Sequence, residues 1–428
     1  MKNKFIRSTL LLILGGFITK IFSIFIKIVL TRELGMQGIS MYMMIMPTFN
    51  LFITLSQNGF NVAISKLVAE DKKDNKKLIL SSIYLSFFIT FILMIILIVI
   101  APLIASSLHN KDLYYPILSI SLTLPFISLS CIIRSYFFGK EKITPHIISN
   151  ITEQIVRLIL FIFILSIFKK YNIIIAIVFV VLSNIISEFT SILILYFFLP
   201  KKIKINDYRP DFNLIKDVLN ISVPTTGSRL VGTIFYFFEP IILTSFLLKN
   251  GYTLKYITNE YGILTGYVFP LLLMPSFFSM AVSQATIPVI SKANLSNNKK
   301  YIKKKVNQSI IFSLIVGIMF TIIFMLFGKE LLYLIYKTDL GLNYLKICTP
   351  FFLIYYLQAP INSVLQALDK SKETFITTLT GSIIKVIMLI LLCYLKLGIY
   401  SLIISTLFNI FYVTILNYLK IKKELNPS

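Results

Sequence analysis

Twelve long apolar stretches follow one another along the chain, at about 8–30, 38–65, 78–105, 114–138, 147–168, 173–198, 218–248, 263–290, 309–330, 344–368, 374–395 and 399–419. Each is near or above the ~20 residues a helix needs to cross a hydrocarbon core. Inside lipid every backbone polar group must be satisfied within the protein, and apolar runs this long do that as helices. The pattern predicts an all-α, polytopic membrane protein with twelve transmembrane helices. Polar connections between the runs are short, about twenty residues at most, so no separate soluble domain is expected.

Charge gives this ladder of helices a direction. The N-terminus, the connections after even-numbered runs and the C-terminal tail hold 26 of the 42 Lys and Arg. The connections after odd-numbered runs hold 8, including Lys169 and Lys170, and another 8 lie within the runs. That asymmetry places both termini in the cytoplasm of a bacterial cell, with the chain in its cytoplasmic membrane. The first run lacks a small-residue cleavage site and carries Lys20 and Lys27, so it is expected to be retained as a helix rather than removed as a signal peptide.

Composition agrees with a membrane solvent. The chain is 57% hydrophobic with mean hydropathy +0.84, yet its formal net charge is +24. Topology and attraction to anionic headgroups account for that charge, and the basic runs are too short and scattered for nucleic-acid binding. Cys131, Cys348 and Cys393 all fall within the runs, and His109 and His146 fall at opposite expected faces, so neither a disulfide framework nor a metal site is expected. No nucleotide-binding loop, zinc-hydrolase motif or nucleophile elbow occurs, which argues against a nucleotide, a cofactor or an enzyme.

The chain also repeats itself. Ile64-Ser65-Lys66 recurs as Ile290-Ser291-Lys292, Pro125-Phe126 as Pro350-Phe351, and Arg157 has a counterpart in Lys385, at offsets of 226, 225 and 228 residues. Six helices per half is an even number, so both halves start from the same side. This predicts two parallel six-helix lobes around a central cavity, residues 1–198 and 218–428, joined by a cytoplasmic linker at 199–217. The second run, with Pro47, Asn50, Gln57, Asn58, Gly59 and Asn61, and the eighth, with Pro270, Pro275, Gln284 and Pro288, carry the backbone-freeing and polar residues expected at a cavity wall.

Ionisable groups within a span are costly, roughly 2.5–3.5 kcal/mol each on insertion scales, and point to function. Lys20 and Arg229 lie ~18 Å and ~17 Å into their helices at 1.5 Å per residue. Facing a shared cavity, they would suit an anionic group such as phosphate. Asn58, Asn61 and Gln284 join them as candidate substrate ligands, with Lys27 two turns beyond Lys20 and able instead to snorkel outward. Glu153 and Arg157, four apart, are expected to form a structural ion pair. Glu188 and Glu239 are candidate ion-coupling carboxylates. Arg134 lies near a helix end and is expected to snorkel.

Two motifs carry a family resemblance. Arg32-Glu33-Leu34-Gly35, then Gly38 and Tyr42, resembles the R-x-L-G-x-x-G-x-x-x-Y signature of bacterial polysaccharide transporters. Gly59 through Glu70 is similar to the G-x-x-x-A-I-S-K-L-V-A-E segment of the stage V sporulation protein B group, and Ile287 to Lys292 resembles the same group's second half. This group belongs to the multidrug/oligosaccharidyl-lipid/polysaccharide flippase superfamily and is related to the lipid II flippases of peptidoglycan synthesis. The resemblance implies alternating-access export of a polyprenyl-pyrophosphate-linked saccharide, driven by H+, Na+ or the membrane potential. It also implies that Lys20 occupies a family arginine position; the family's next arginine position is Ile26 here, with Lys27 adjacent. Within the superfamily, a multidrug exporter of organic cations is the alternative, and a non-transporting scaffold of envelope or spore assembly is a second.

Overall fold

The computed structural model describes residues 2–70, 74–199, 210–296 and 298–425, with the side chains of all of these except 2–13, 166, 228, 288 and 295. The linker residues Pro200, Lys201, Lys202, Lys204 and Arg209, and the side chain of Pro288, lie outside them. The described chain is helical throughout its twelve apolar stretches apart from short breaks, and no strand occurs among the described residues.

Sixteen α-helices occur among the described residues. In order they are α1 (Lys2–Gln57), α2 (Phe60–Glu70), α3 (Asn75–Ser107), α4 (Tyr114–Gly139), α5 (Ile143–Leu160), α6 (Ser166–Tyr171), α7 (Ile173–Phe198), α8 (Phe212–Lys249), α9 (Leu254–Gly262), α10 (Phe269–Leu273), α11 (Ser276–Leu295), α12 (Lys299–Tyr336), α13 (Leu342–Tyr355), α14 (Gln358–Ala367), α15 (Ser371–Tyr394) and α16 (Tyr400–Leu425). A π-turn at Phe161–Leu165 joins α5 to α6, and another at Ile263–Val268 joins α9 to α10.

By length and composition, nine helices among the described residues can cross a membrane, or ten if the bent pair Leu254–Leu273 and Ser276–Asn294 is one span. The expected count of twelve is not reproduced, and the difference lies in two places. The first two apolar runs count together as one candidate, Leu14–Glu70, because the two helices meet at a kink at Gly35 rather than across a loop. Gly35 adopts φ 64° and ψ −172°, a conformation open mainly to glycine. The 57 residues of Leu14–Glu70 would run about 86 Å if straight, nearly three hydrocarbon thicknesses, so the kink at Gly35 divides two span-length helices. The tenth run is broken at Tyr356–Leu357 into α13 and α14, each too short to span alone.

The chain divides into two compact units, Met1–Phe237 and Phe238–Ser428, with the boundary inside α8. In the first unit, α3 shows how lipid shapes the packing. One face exposes Phe87, Phe88, Phe91, Ile95 and Val99, while the inward face buries Ser82, Ser86 and Thr90. Between lipid-facing helices there is little hydrophobic drive, so small polar groups and close contact hold the bundle. Ser86 and Ser128 meet at 2.6 Å, and Ser128 Oγ donates to the Ser56 carbonyl at 2.8 Å. Phe60 and Ile64 of α2, Leu78 of α3, Ile132 and Phe137 of α4 and Val218 of α8 form an apolar cluster beside them.

The second unit has its own core at Ile290, Ile302, Val306, Ile361, Val364 and Ile421, joining α11, α12, α14 and α16. At that end Lys420 Nζ donates to the Glu373 carbonyl at 2.9 Å and to Thr377 Oγ1 at 2.6 Å. Lys370, in the turn before α15, lies 3.3 Å from Glu424, whose hydrogen bond raises the Lys370 ammonium above its ordinary pKa.

Candidate functional site

Four charged side chains converge in the first unit from three helices. Arg134 of α4 donates from Nη2 to Glu153 Oε2 of α5 at 2.7 Å, to Glu188 Oε2 of α7 at 3.1 Å and to Ser191 Oγ at 2.7 Å. Arg157, one turn after Glu153 on α5, donates to Glu153 Oε1 at 2.7 Å and to Ser187 Oγ at 3.2 Å. Both carboxylates are buried, about 6% exposed. Two guanidinium groups balance two carboxylates, which is how a low-dielectric bundle tolerates four charges. The Glu153–Arg157 pair is therefore part of a larger cluster. Glu188 is ion-paired rather than free, and Arg134 points into the bundle rather than snorkelling.

Beside this cluster lies a cavity of about 410 Å³ between α1, α2, α4, α5 and α7. Arg134, Glu188 and His146 line it, with the amides Gln57 and Asn61 and the hydroxyls of Ser130 and Ser135. His146 Nδ1 is buried without a partner among the described residues, while its Nε2 meets Asn150 Nδ2 at 3.3 Å.

The wall of the cavity is set by a break in the second span. Asn58 and Gly59 both take positive φ, 40° and 61°, between α1 and α2. There the chain closes on α8. Asn58 Nδ2 donates to Ser222 Oγ at 3.5 Å, and its Oδ1 accepts from Thr226 Oγ1 at 3.2 Å. Arg229 Nη1 donates to Asn61 Oδ1 at 3.3 Å. Ser222, Thr226 and Arg229 are spaced four and three apart, so they share one face of α8. A carboxamide, not a carboxylate, holds Arg229, and its side chain is exposed.

The remaining candidates are dispersed. Lys20 is exposed on α1 and has no partner among the described residues. Lys27 is half-buried, with its ammonium 3.6 Å from the Met43 thioether. Gln284 is exposed on α11 in the second unit. Glu239, buried and followed by Pro240, pairs with Lys385 of α15. No cluster of His, Cys, Asp or Glu that could hold a metal occurs among the described residues.

Sequence reasoning missed Arg134, His146, Ser187 and Ser191 as site residues. A signal for Arg134 was present: it and Glu188 were opposite charges within predicted spans of one lobe, each lacking a local partner. Burial cost requires such charges to find each other across helices.

Helices with lipid-facing apolar surfaces, paired charges at depth and a polar cavity beside them define a multi-pass membrane protein. Comparison with known proteins gives the lineage. The chain belongs to the polysaccharide biosynthesis protein family, which it matches over residues 5–294; residues 263–391 also match the MatE family. Stage V sporulation protein B of Bacillus subtilis (strain 168) is 32% identical over all of this chain and 85% of its own length. The lipid II flippase MurJ of the same organism is 24% identical over 91% of this chain and 77% of its own. Among solved structures, the inward-facing conformation of a multidrug resistance MATE family transporter of the MOP superfamily superposes with a TM-score of 0.80 at 15% identity. That match covers 95% of this chain and 94% of the other, and it establishes a shared fold. Of these relatives, MurJ is by name a lipid II flippase and the MATE protein a multidrug resistance transporter.

Proposed function

We propose that this protein moves a polyprenyl-pyrophosphate-linked saccharide from the inner to the outer leaflet of a bacterial cytoplasmic membrane by alternating access, with both termini cytoplasmic. In this reading two six-helix lobes, 1–198 and 218–428 joined by 199–217, rock about the cargo. The observation that carries it is Arg229. Among the described charges deep in the spans, Arg134, Arg157 and Lys385 are each matched to a carboxylate. Arg229 is exposed and, among the described residues, held by the neutral oxygen of Asn61 and by no carboxylate, so its charge is left for a ligand. A guanidinium fork suits a pyrophosphate. Lys20, exposed and unpartnered among the described residues, supplies a second cation.

The same accounting disfavours an organic-cation exporter. Glu188 and Glu239, the carboxylates such a cargo would need, are occupied by Arg134 and Lys385. A coupling H+ or Na+ at either would have to compete with a fixed cation. This favours the membrane potential, which pushes an anionic headgroup outward, as the energy source. Lys27, Asn58 and Gln284 remain supporting candidates along the cargo path.

The test is a reconstituted flipping assay with lipid II and other polyprenyl-linked glycans. Arg229→Ala is expected to lower the rate tenfold or more, about 1.4 kcal/mol or above. Lys20→Arg should be tolerated better than Lys20→Ala. Unchanged flipping of every lipid-linked glycan by both alanine variants would sink the anionic-cargo mechanism and favour the exporter.

A further inference from the structure

We infer that the cavity in the first unit is a subsite for one or two neutral sugar rings of the cargo, recognised by the Nη1 donors of Arg134 and the amides beside it. This rests on the cargo reading above and adds where the saccharide sits. Arg134 offers five N–H donors, and all its protein bonds leave from Nη2. Its Nε is sealed inside the protein, while Nη1 makes no bond to a described residue. The guanidinium borders a cavity that can admit an acceptor for those Nη1 donors.

Charge decides what kind of acceptor. Arg134 and Arg157 are already balanced by Glu153 and Glu188, so the cluster is neutral as a whole. A full anion entering here would have to displace Glu188 and leave it buried and unpaired. A hydroxylated ring does not. Its oxygens accept from Arg134 and from the Asn61 amide NH2, and its hydroxyls donate to Glu188 and to the amide oxygen of Gln57. Both amides can donate as well as accept. Phe138, about half exposed at the lining, offers an aromatic face to the C–H side of a ring. At about 410 Å³ the cavity is near the small end of ligand sites, which fits a short headgroup rather than a long oligosaccharide. Asn61 both lines this cavity and holds Arg229, so the sugar subsite adjoins the cation assigned to the pyrophosphate, as the cargo's covalent order requires.

The experiment measures binding by the purified protein in nanodiscs of three probes: undecaprenyl pyrophosphate alone, and the same lipid carrying one or two N-acetylhexosamine rings. In the unmodified protein the first ring should add about tenfold in affinity. Arg134→Lys keeps the charge for Glu153 and Glu188 but loses the Nη1 donors. It should abolish that tenfold increment and leave the sugarless lipid bound as before. Gln57→Ala should show the same selective loss and serves if Arg134→Lys does not fold. Arg229→Ala should weaken all three probes together. Equal affinity for sugar-bearing and sugarless lipid in the unmodified protein overturns the subsite, and so does a loss in Arg134→Lys or Gln57→Ala that is uniform across probes. Failure to bind any of the three overturns the cargo reading itself.

Discussion

Asn61 Oδ1 accepts a hydrogen bond from Arg229 Nη1 at 3.3 Å, joining α2 to α8 across 168 positions of sequence. A neutral acceptor orients a guanidinium without neutralising it. If that is its role, Asn61→Asp should be worse for function than Asn61→Ala although it is better for stability. The aspartate would pair with Arg229 and repel an anionic cargo, whereas alanine only frees the cation. We expect Asn61→Ala to weaken pyrophosphate-lipid binding several-fold and Asn61→Asp to weaken it at least a further tenfold at unchanged or raised melting temperature. A purely structural bond predicts the opposite order of activity.

Gly59 makes that junction possible. It sits at φ 61°, and a Cβ added there would lie 2.7 Å from the Ser222 carbonyl oxygen of α8. The obstacle is backbone, so no side-chain rearrangement relieves it. Gly59→Ala should cost about 1–3 kcal/mol from the left-handed conformation, with the clash adding to it. Thermal unfolding in detergent is the measurement, and a melting temperature equal to that of the unmodified protein would contradict the close approach.

Within the four-charge cluster the two carboxylates are not equivalent. Glu153 serves both arginines, while Glu188 serves only Arg134, at the longer distance of 3.1 Å. Glu153→Gln should therefore destabilise by about 3–5 kcal/mol, as expected when buried ions lose their partner, and Glu188→Gln by distinctly less. A double-mutant cycle between Arg134 and Glu188 should give a coupling of about 0.5–3 kcal/mol. Equal losses from the two single glutamine variants would mean that the cluster is not organised around Glu153.

Much of this architecture was readable before any coordinates, because lipid imposes a simple code. The positions of the apolar stretches and the pairing of Glu153 with Arg157 follow from run length and from spacing along one helix. The breaks were harder. Gly35 separates two expected spans by a kink alone, and nothing in local hydropathy distinguishes a glycine kink from a loop. Contacts between helices were harder still. Arg134 looked like a headgroup-seeking side chain because its partners, Glu153 and Glu188, lie 19 and 54 residues away. Periodicity reports the face a residue occupies, not the helix that face meets. Asn58, Gly59 and Asn61 stood out as polar residues in an apolar run, but their engagement of Ser222, Thr226 and Arg229 depended on the path of α8.

The lysine distribution makes a separate prediction about topology. Cysteines introduced at Asn298, just before α12, and at Asn259, within α9, should react from opposite sides of the membrane, with Asn298 cytoplasmic. The native cysteines are buried or half-buried, so background labelling should be low. Labelling of both positions by an impermeant reagent from one side would contradict the orientation.

The last prediction concerns Glu239 and Lys385, which separates stability from transport in the second unit. Glu239 is buried beside Pro240, and Lys385 of α15 supplies its counter-charge. Lys385→Met should leave an uncompensated buried carboxylate and destabilise by about 3–5 kcal/mol. Glu239→Gln combined with Lys385→Met removes both charges and should recover most of that loss. If the pair is only structural, this double variant should flip cargo at the normal rate. If Glu239 also exchanges a coupling cation during the cycle, stability should return while transport stays low. Measuring melting temperature and flipping rate on the same preparations distinguishes the two. Transport restored along with stability would remove Glu239 from the coupling mechanism and leave the membrane potential as the driving force.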